Sequence, residues 1–250
     1  MTQRSVIIKT TELTKKYGDH TVLDALNLTI HEGEVFGFLG HNGAGKTTTV
    51  NILTTLLEPT SGSAKICGHD VTRDGLRARR SFGYLPESVR FYDTMTAYEN
   101  VEYLAKLSGM KHPKKRIEEV FEYLEFTSHL HQKVGEFSKG MRQRVGIAQA
   151  IVHNPNVLFL DEPTSGLDPE GIIQLRNIIL RLSKEQNITI FMNTHLLSEV
   201  AKTCTSIGVL NQGKLIYNDT LANTLERFPT EQSLESIYTS VDTPSKERTT

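Results

Sequence analysis

One run constrains this chain more than any other: Gly40-His41-Asn42-Gly43-Ala44-Gly45-Lys46-Thr47, together with what stands on either side of it. Before it, Val35-Phe36-Gly37-Phe38-Leu39 is a continuous apolar stretch, the pattern of a strand buried on both faces. After it, Lys46 to Leu53 reads as a helix that ends before Pro59. The run fits G-x-x-x-x-G-K-[ST] in a strand–loop–helix setting. Glycines let backbone N–H groups curl around phosphate oxygens, and the helix start adds the positive end of its dipole. In such a loop Lys46 reaches the β and γ phosphates of a nucleotide and the Thr47 hydroxyl sits on Mg²⁺. Gly40, His41, Asn42, Gly43, Ala44, Gly45 and Thr48 complete the predicted cradle. A glycine-rich turn without a ligand is the plainer alternative.

A second strand pattern, Val157-Leu158-Phe159-Leu160, runs into two carboxylates, Asp161 and Glu162. Open α/β sheets bind ligands at the carboxyl ends of their strands. Asp161 is placed there to hold Mg²⁺ through its water shell. Glu162, one residue on, projects differently and is placed to polarise the water that attacks the γ-phosphate. A helix from Ile172 to Leu182 and an apolar strand from Ile188 to Met192 follow, and strand–helix–strand order implies a parallel sheet.

Elsewhere the period shifts. Val6-Ile7-Ile8 is β-rich, Leu26, Leu28 and Ile30 alternate as in a half-buried strand, and Ala64, Ile66 and Val71 bracket an edge-like one. Between about residues 88 and 152 the helical period dominates. Val101, Leu104, Ala105 and Leu107 mark one helix, Ile117, Val120, Phe121 and Leu124 a second, and Val145, Ala148, Ile151 and Val152 a third. Ile207 to Leu210 and Lys214 to Tyr217 flank a hairpin-like turn, Asn211-Gln212-Gly213.

Composition bounds what these elements do. With 28 Lys and Arg against 29 Asp and Glu over 250 residues, the net charge of −1 argues against a strongly basic nucleic-acid binder and against an acidic tail. Mean hydropathy is −0.31, and no stretch approaches the roughly 18 apolar residues of a bilayer span. The opening MTQRSVIIKT holds too short an apolar run for a signal peptide. Cys67 and Cys204, far apart, exclude a disulfide scaffold or zinc ribbon and read as small hydrophobes. His129 and His131 have no ligand set around them, and Lys111 to Arg116 reads as a solvated helix start. Arg77, Arg79 and Arg80 carry no further signal.

Taken with these two motifs, Phe137-Ser138-Lys139-Gly140-Met141-Arg142-Gln143-Arg144 resembles the signature of the ATP-binding-cassette (ABC) transporter family. Ser165-Gly166-Leu167-Asp168 is similar to the family's D-loop, Thr194-His195 to its switch histidine, and Pro59 to Gly62 with Ile66, Gly68 and Asp70 to its post-helix turn. The resemblance covers about residues 5 to 225. It implies an α/β fold: a RecA-like P-loop NTPase core with an antiparallel β-subdomain and an inserted α-helical subdomain. The core would span 1–87 and 153–218 and the helical subdomain 88–152, all within one domain over 1–228. A short C-terminal helix (Ser233 to Tyr238) and a disordered tail from about Ser240 would fill 229–250.

The resemblance also implies roles. Tyr17 would stack on adenine and His195 would reach the γ-phosphate. Ser138, Lys139, Gly140 and Met141 would complete the ATP site of a second copy or related cassette, with Asp168 between the two, because one chain cannot close its own site. Ser138 and Gly140 would stand before a helix that begins near Met141. Glu87, in Leu85-Pro86-Glu87, stands where the family has a glutamine. A carboxylate there still binds Mg²⁺ or its waters but adds negative charge and cannot donate a hydrogen bond. Lys139 stands where the commonest signature has glycine, facing either the phosphates or solvent, and Met141 where it has glutamine. These departures resemble an exporter-type subfamily serving drug, polysaccharide, lipid and sodium efflux. The expected protein is an ATP hydrolase peripheral to the cytoplasmic face of the cell membrane. Its expected partner is a separate multi-span permease, and no nucleic acid is expected. Phe91, Tyr92 and Met95 would either meet that permease or pack within the subdomain. The alternative function is an ABC ATPase acting on a ribosome, DNA or a cofactor-assembly complex.

Overall fold

The computed structural model describes residues 5–229. The expected C-terminal helix and tail lie outside those residues. Strands β1 (Val6–Tyr17) and β2 (His20–His31) form a long antiparallel hairpin, after which β3 (Val35–Leu39) leaves for a second sheet. Helix α1 (Lys46–Leu53) returns the chain to β4 (Ser61–Ile66) and the two-residue β5 (His69–Asp70). The first sheet has the order β2-β1-β4-β5 and is antiparallel throughout. β4 is therefore interior rather than an edge, because β5 pairs along its far side.

After α2 (Gly75–Ser81) and β6 (Phe82–Leu85) come three helices, α3 (Ala97–Leu107), α4 (Lys114–Tyr123) and α5 (Lys139–Ile151). Then follow β7 (Val157–Asp161), α6 (Pro169–Gln186), β8 (Thr189–Asn193), α7 (Leu197–Thr203), β9 (Ser206–Asn211), β10 (Lys214–Thr220) and α8 (Leu221–Arg227). The second sheet runs β10-β9-β3-β8-β7-β6, parallel except for the β9–β10 hairpin.

Its register explains why the motifs meet. Phe38 is level with Asn193, Asn193 with Asp161, and Leu85 with Leu160. The chain segments leaving β3, β6, β7 and β8 thus emerge along one edge of the sheet. Residues two apart share a face, so Phe36, Phe159 and Phe191 form a row across three strands. Ring centroids along it lie 5.5 Å apart from Phe36 to Phe191 and 5.5 Å from Phe159 to Phe191. That face packs under α1 and the antiparallel sheet. Leu158, Leu160, Ile190 and Met192 pack with the helices on the other face. There α7 comes so near β3 that a Cβ at Gly37 would lie 2.9 Å from Cys204 Sγ.

In the helical block the second and third predicted apolar faces are buried. The first differs. α3 buries Ala97, Asn100, Val101 and Ala105, while Leu107 is 67% exposed and Leu104 is also exposed. The i, i+4 line through 97, 101 and 105 is the inward stripe, and Leu107 stands about 200° round from Ala105. Nor is Arg116 a solvated residue of a helix start. Its Nε donates to Val152 O at 3.2 Å, closing the carboxyl end of α5. Next to it, His153 Nε2 meets Phe82 O at 2.9 Å, tying that end to β6.

Candidate functional site

Leu39 delivers the chain from β3 into the glycine loop, and α1 begins at Lys46. Gly45 caps the helix with φ 107°, open to glycine, and a Cβ there would lie 2.7 Å from Leu23 and 2.8 Å from Val22 O. Lys46 is 6% exposed. Its ammonium donates to Gly40 O at 2.6 Å and His41 O at 3.3 Å, so it closes the loop on itself. Thr47 is exposed at the helix start, as are His41, Asn42 and Gly43, while Ala44 is buried beneath them and Thr48 half-buried.

The acidic strand end stands beside this loop. Asp161, 7% exposed, takes a 2.5 Å hydrogen bond on Oδ1 from Asn193 Nδ2, across the level β7–β8 pair. Burial pushes its carboxyl above the usual range. The bond from Asn193 and the Lys46 charge oppose that push, and Glu162 and Glu87 add to it. Burial likewise lowers Lys46, against the carboxylates of Glu162 and Asp161. Glu162 has φ 45°. Its Oε1 lies 2.9 Å from His195 Nδ1, and Thr194 Oγ1 donates to its Oε2 at 3.4 Å. Tyr84 on β6 also faces Asp161, and burial with that neighbouring charge pushes its hydroxyl up to about 12.

The structure thus brings together Lys46, Asp161, Glu162, His195 and, through its charge on Asp161, Glu87. Tyr17, at the end of β1, is 52% exposed, and Lys15 Nζ stands 5.2 Å over its ring. Ser138 to Met141 lie elsewhere. With Gly166, Leu167 and Asp168 they line a separate cleft of about 500 Å³, to which the glycine loop contributes no wall. Here α5 begins at Lys139 rather than near Met141, because the Ser138 Oγ caps it, accepting from the Met141 N–H at 3.3 Å. Gly140 is therefore inside the first turn. The side chain of Lys139 reaches across Gly166, where a Cβ would lie 2.6 Å from its Nζ. Asp168 caps α6, its Oδ1 accepting from Gly171 N–H at 3.2 Å. Met141 packs against the core.

The sequence profile of the ABC transporter family matches residues 23–165. This chain belongs to that family. It is the ATP-binding subunit of an ABC transporter and, like cassettes of this kind generally, an ATP hydrolase. The bacitracin transport ATP-binding protein BcrA of Bacillus licheniformis is 46% identical over 212 residues, which are 85% of this chain and 69% of that protein. Among solved structures, an ATP-binding subunit of an ABC transporter superposes with a TM-score of 0.82 at 28% identity, covering 95% of this chain and 100% of the other. A bacterial ABC transporter cassette solved as a dimer gives 0.76 at 29% identity, covering 86% and 99%.

The sequence alone assigns no role to two residues beside this candidate site. Asn193 orients Asp161, and its own Oδ1 is buried without a partner among the described residues. A polar residue closing an otherwise apolar strand, level with Asp161, was the available signal. Gln143, buried in α5, donates to Pro163 O at 2.9 Å; it stands in the signature-like run, which gives it no role of its own. No His, Cys, Asp and Glu cluster of metal-binding form occurs among the described residues. None of their helices is long and apolar enough to cross a membrane.

Proposed function

We propose that this cassette works as one of a pair and drives export through a separate multi-span permease, held peripherally at the cytoplasmic face of the cell membrane. The observation that carries the pairing is the separation of the two half-sites. The phosphate loop with Asp161, Glu162 and His195 gathers at the strand ends, while Ser138 and Gly140 line another cleft. A second copy supplies the missing half to each.

In this reading Tyr17 offers a ring face to adenine. Lys46 exchanges the carbonyls of Gly40 and His41 for phosphate oxygens, and the backbone N–H groups of Gly40 to Thr48 wrap the phosphates. The oxygen donors around Lys46 suit a hard cation: the Thr47 hydroxyl and the carboxylates of Asp161 and Glu87 would hold Mg²⁺. When bound, that ion offsets charge on the β and γ phosphates. Glu162 accepts a hydrogen bond from the attacking water and turns it towards phosphorus. His195, already bonded to Glu162, spans from that carboxylate to the γ-phosphate. From the other copy, the Ser138 oxygen keeps its cap on Met141 N–H while its hydroxyl proton remains to donate to a phosphate oxygen. Gly140 adds its N–H and the start of α5 its dipole, with Asp168 at the seam and Met141 behind.

Lys139 lies along the D-loop at Gly166. On the helical block, Tyr92 is 56% exposed and meets Tyr103 edge-on at 5.5 Å, on a loop that Asn100 pins through the N–H and C=O of Tyr92. We place the permease there, whereas Phe91 turns inward to the core. Export is supported by the Leu-Pro-Glu and Ser-Lys-Gly departures and by the bacitracin transport relative.

The test is a tagged chain expressed in its own cells and recovered from detergent-solubilised membranes. A hydrophobic multi-span protein should come with it. Recovery of ribosomal or nucleic-acid partners instead would overturn the reading.

A further inference from the structure

Glu162 stands in left-handed backbone, φ 45°, which non-glycine residues adopt at a cost and which must be held by its surroundings. From the sheet side, its N–H donates to Asn193 O at 2.8 Å, and its carboxylate meets His195 Nδ1 at 2.9 Å and Thr194 Oγ1 at 3.4 Å. The opposing grip comes from the helical block. Gln143, 5% exposed, donates Nε2 to the carbonyl of Pro163 at 2.9 Å. Pro163 has no N–H, so its carbonyl is the one polar backbone group it presents.

The helix bearing Gln143 lies close behind the strand ends. At Gly146, one turn further along α5, a Cβ would lie 2.5 Å from Leu85 Cδ1 at the end of β6. An uncharged amide suits this place. It reaches the carbonyl without burying a charge, whereas a buried ammonium would carry a desolvation cost.

We infer that Gln143 is a positioning residue for Glu162. By holding the Pro163 carbonyl it sets the direction in which the Glu162 carboxylate leaves β7. The hydrolysis step then answers to the placement of α5, the helix whose first turn Ser138 caps. This rests on the reading of Glu162 as the group that turns the attacking water.

The experiment compares steady-state ATP hydrolysis by the full chain and by Gln143→Met, Gln143→Glu and Glu162→Gln. Methionine fills a similar volume without a donor, and glutamate replaces the donor by an acceptor. Gln143→Met should lower kcat about tenfold, the effect of about 1.4 kcal/mol on the barrier, a typical net hydrogen bond. KM for ATP should stay within about twofold, because Lys46 and its loop are untouched. Gln143→Glu should lose more, with a carboxylate facing a carbonyl. If Gln143→Met fails to give a cooperative thermal melt, Gln143→Asn, uncharged and too short to reach Pro163 O, decides by the same split. A kcat within twofold of the unsubstituted chain, beside a Glu162→Gln that no longer hydrolyses ATP, overturns the inference and leaves the reading of Glu162 intact. So does a kcat loss matched by an equal rise in KM, the mark of general disruption. Normal hydrolysis by Glu162→Gln overturns the reading of Glu162, and the inference with it.

Discussion

At the strand ends Lys46 and Asp161 are buried, and each is already bonded to the protein: the ammonium to two loop carbonyls, the carboxylate to Asn193. At the start of α5 Ser138 and Lys139 are exposed, and among the described residues Ser138 is engaged only by its own helix. In the proposed pair both regions face phosphate, yet the first is desolvated within a single chain and the second is exposed to solvent. Charges and dipoles act strongly where water is excluded and weakly where it is not. The difference teaches that the strand-end half is ready before a nucleotide arrives. On that proposal the α5 half gains its strength only when a second surface covers it.

The largest effect that would break this comparison is at Lys46. Lys46→Ala leaves the strand-end carboxylates without their cation and should weaken ATP binding about a hundredfold, near 2.7 kcal/mol. Equilibrium titration with a fluorescent ATP analogue measures it, and an unchanged affinity would remove the phosphate loop from the site. Next comes a complementation. Lys46→Ala and Ser138→Ala chains should each hydrolyse ATP poorly alone, since each spoils both sites of a symmetric pair. Mixed in equal amounts, random pairing leaves one intact site in half of the pairs, about a quarter of the full rate. No recovery on mixing would mean that each chain closes its own site.

The smallest effect sharpens the contrast from outside both half-sites, where α5 meets β6. Burial holds the His153 imidazole below its usual range, with the Phe82 carbonyl opposing and Arg116 reinforcing the shift. Its folded pKa is depressed below the unfolded value near 6.5, so the unfolded chain takes up the proton first as pH falls. The stability this group contributes is present above about pH 6.5 and fades below it. Urea midpoints at pH 7.5 and 5.5 should differ less in His153→Gln than in the unsubstituted chain. Equal differences would detach His153 from the joint.

Much of the strand-end half was legible in the sequence because its chemistry is consecutive. Gly40 to Thr47 are adjacent, and Asp161 and Glu162 close one apolar run. The buried strands β3, β7 and β8 announce themselves for the same reason. What was not legible depends on tertiary neighbours. β6 is four residues long and read only as the approach to Glu87. α2 and α7, at seven residues each, are too short to show a period. The start of α5 falls earlier than the sequence suggests because Ser138 also serves as its cap. The outward turn of Leu107 follows from where α5 lies against α3, not from apolar spacing alone. Gln143 and Asn193 matter through partners 20 and 32 residues away.

The bonds from Lys46 to Gly40 O and His41 O also bear on how a nucleotide is received. A loop that must first be gathered around its guest loses conformational entropy at the moment of capture. Here the lysine already tethers the loop's first two carbonyls, so in the proposed site arrival is a swap of acceptors around a standing ammonium. Little ordering of the loop then remains to be done.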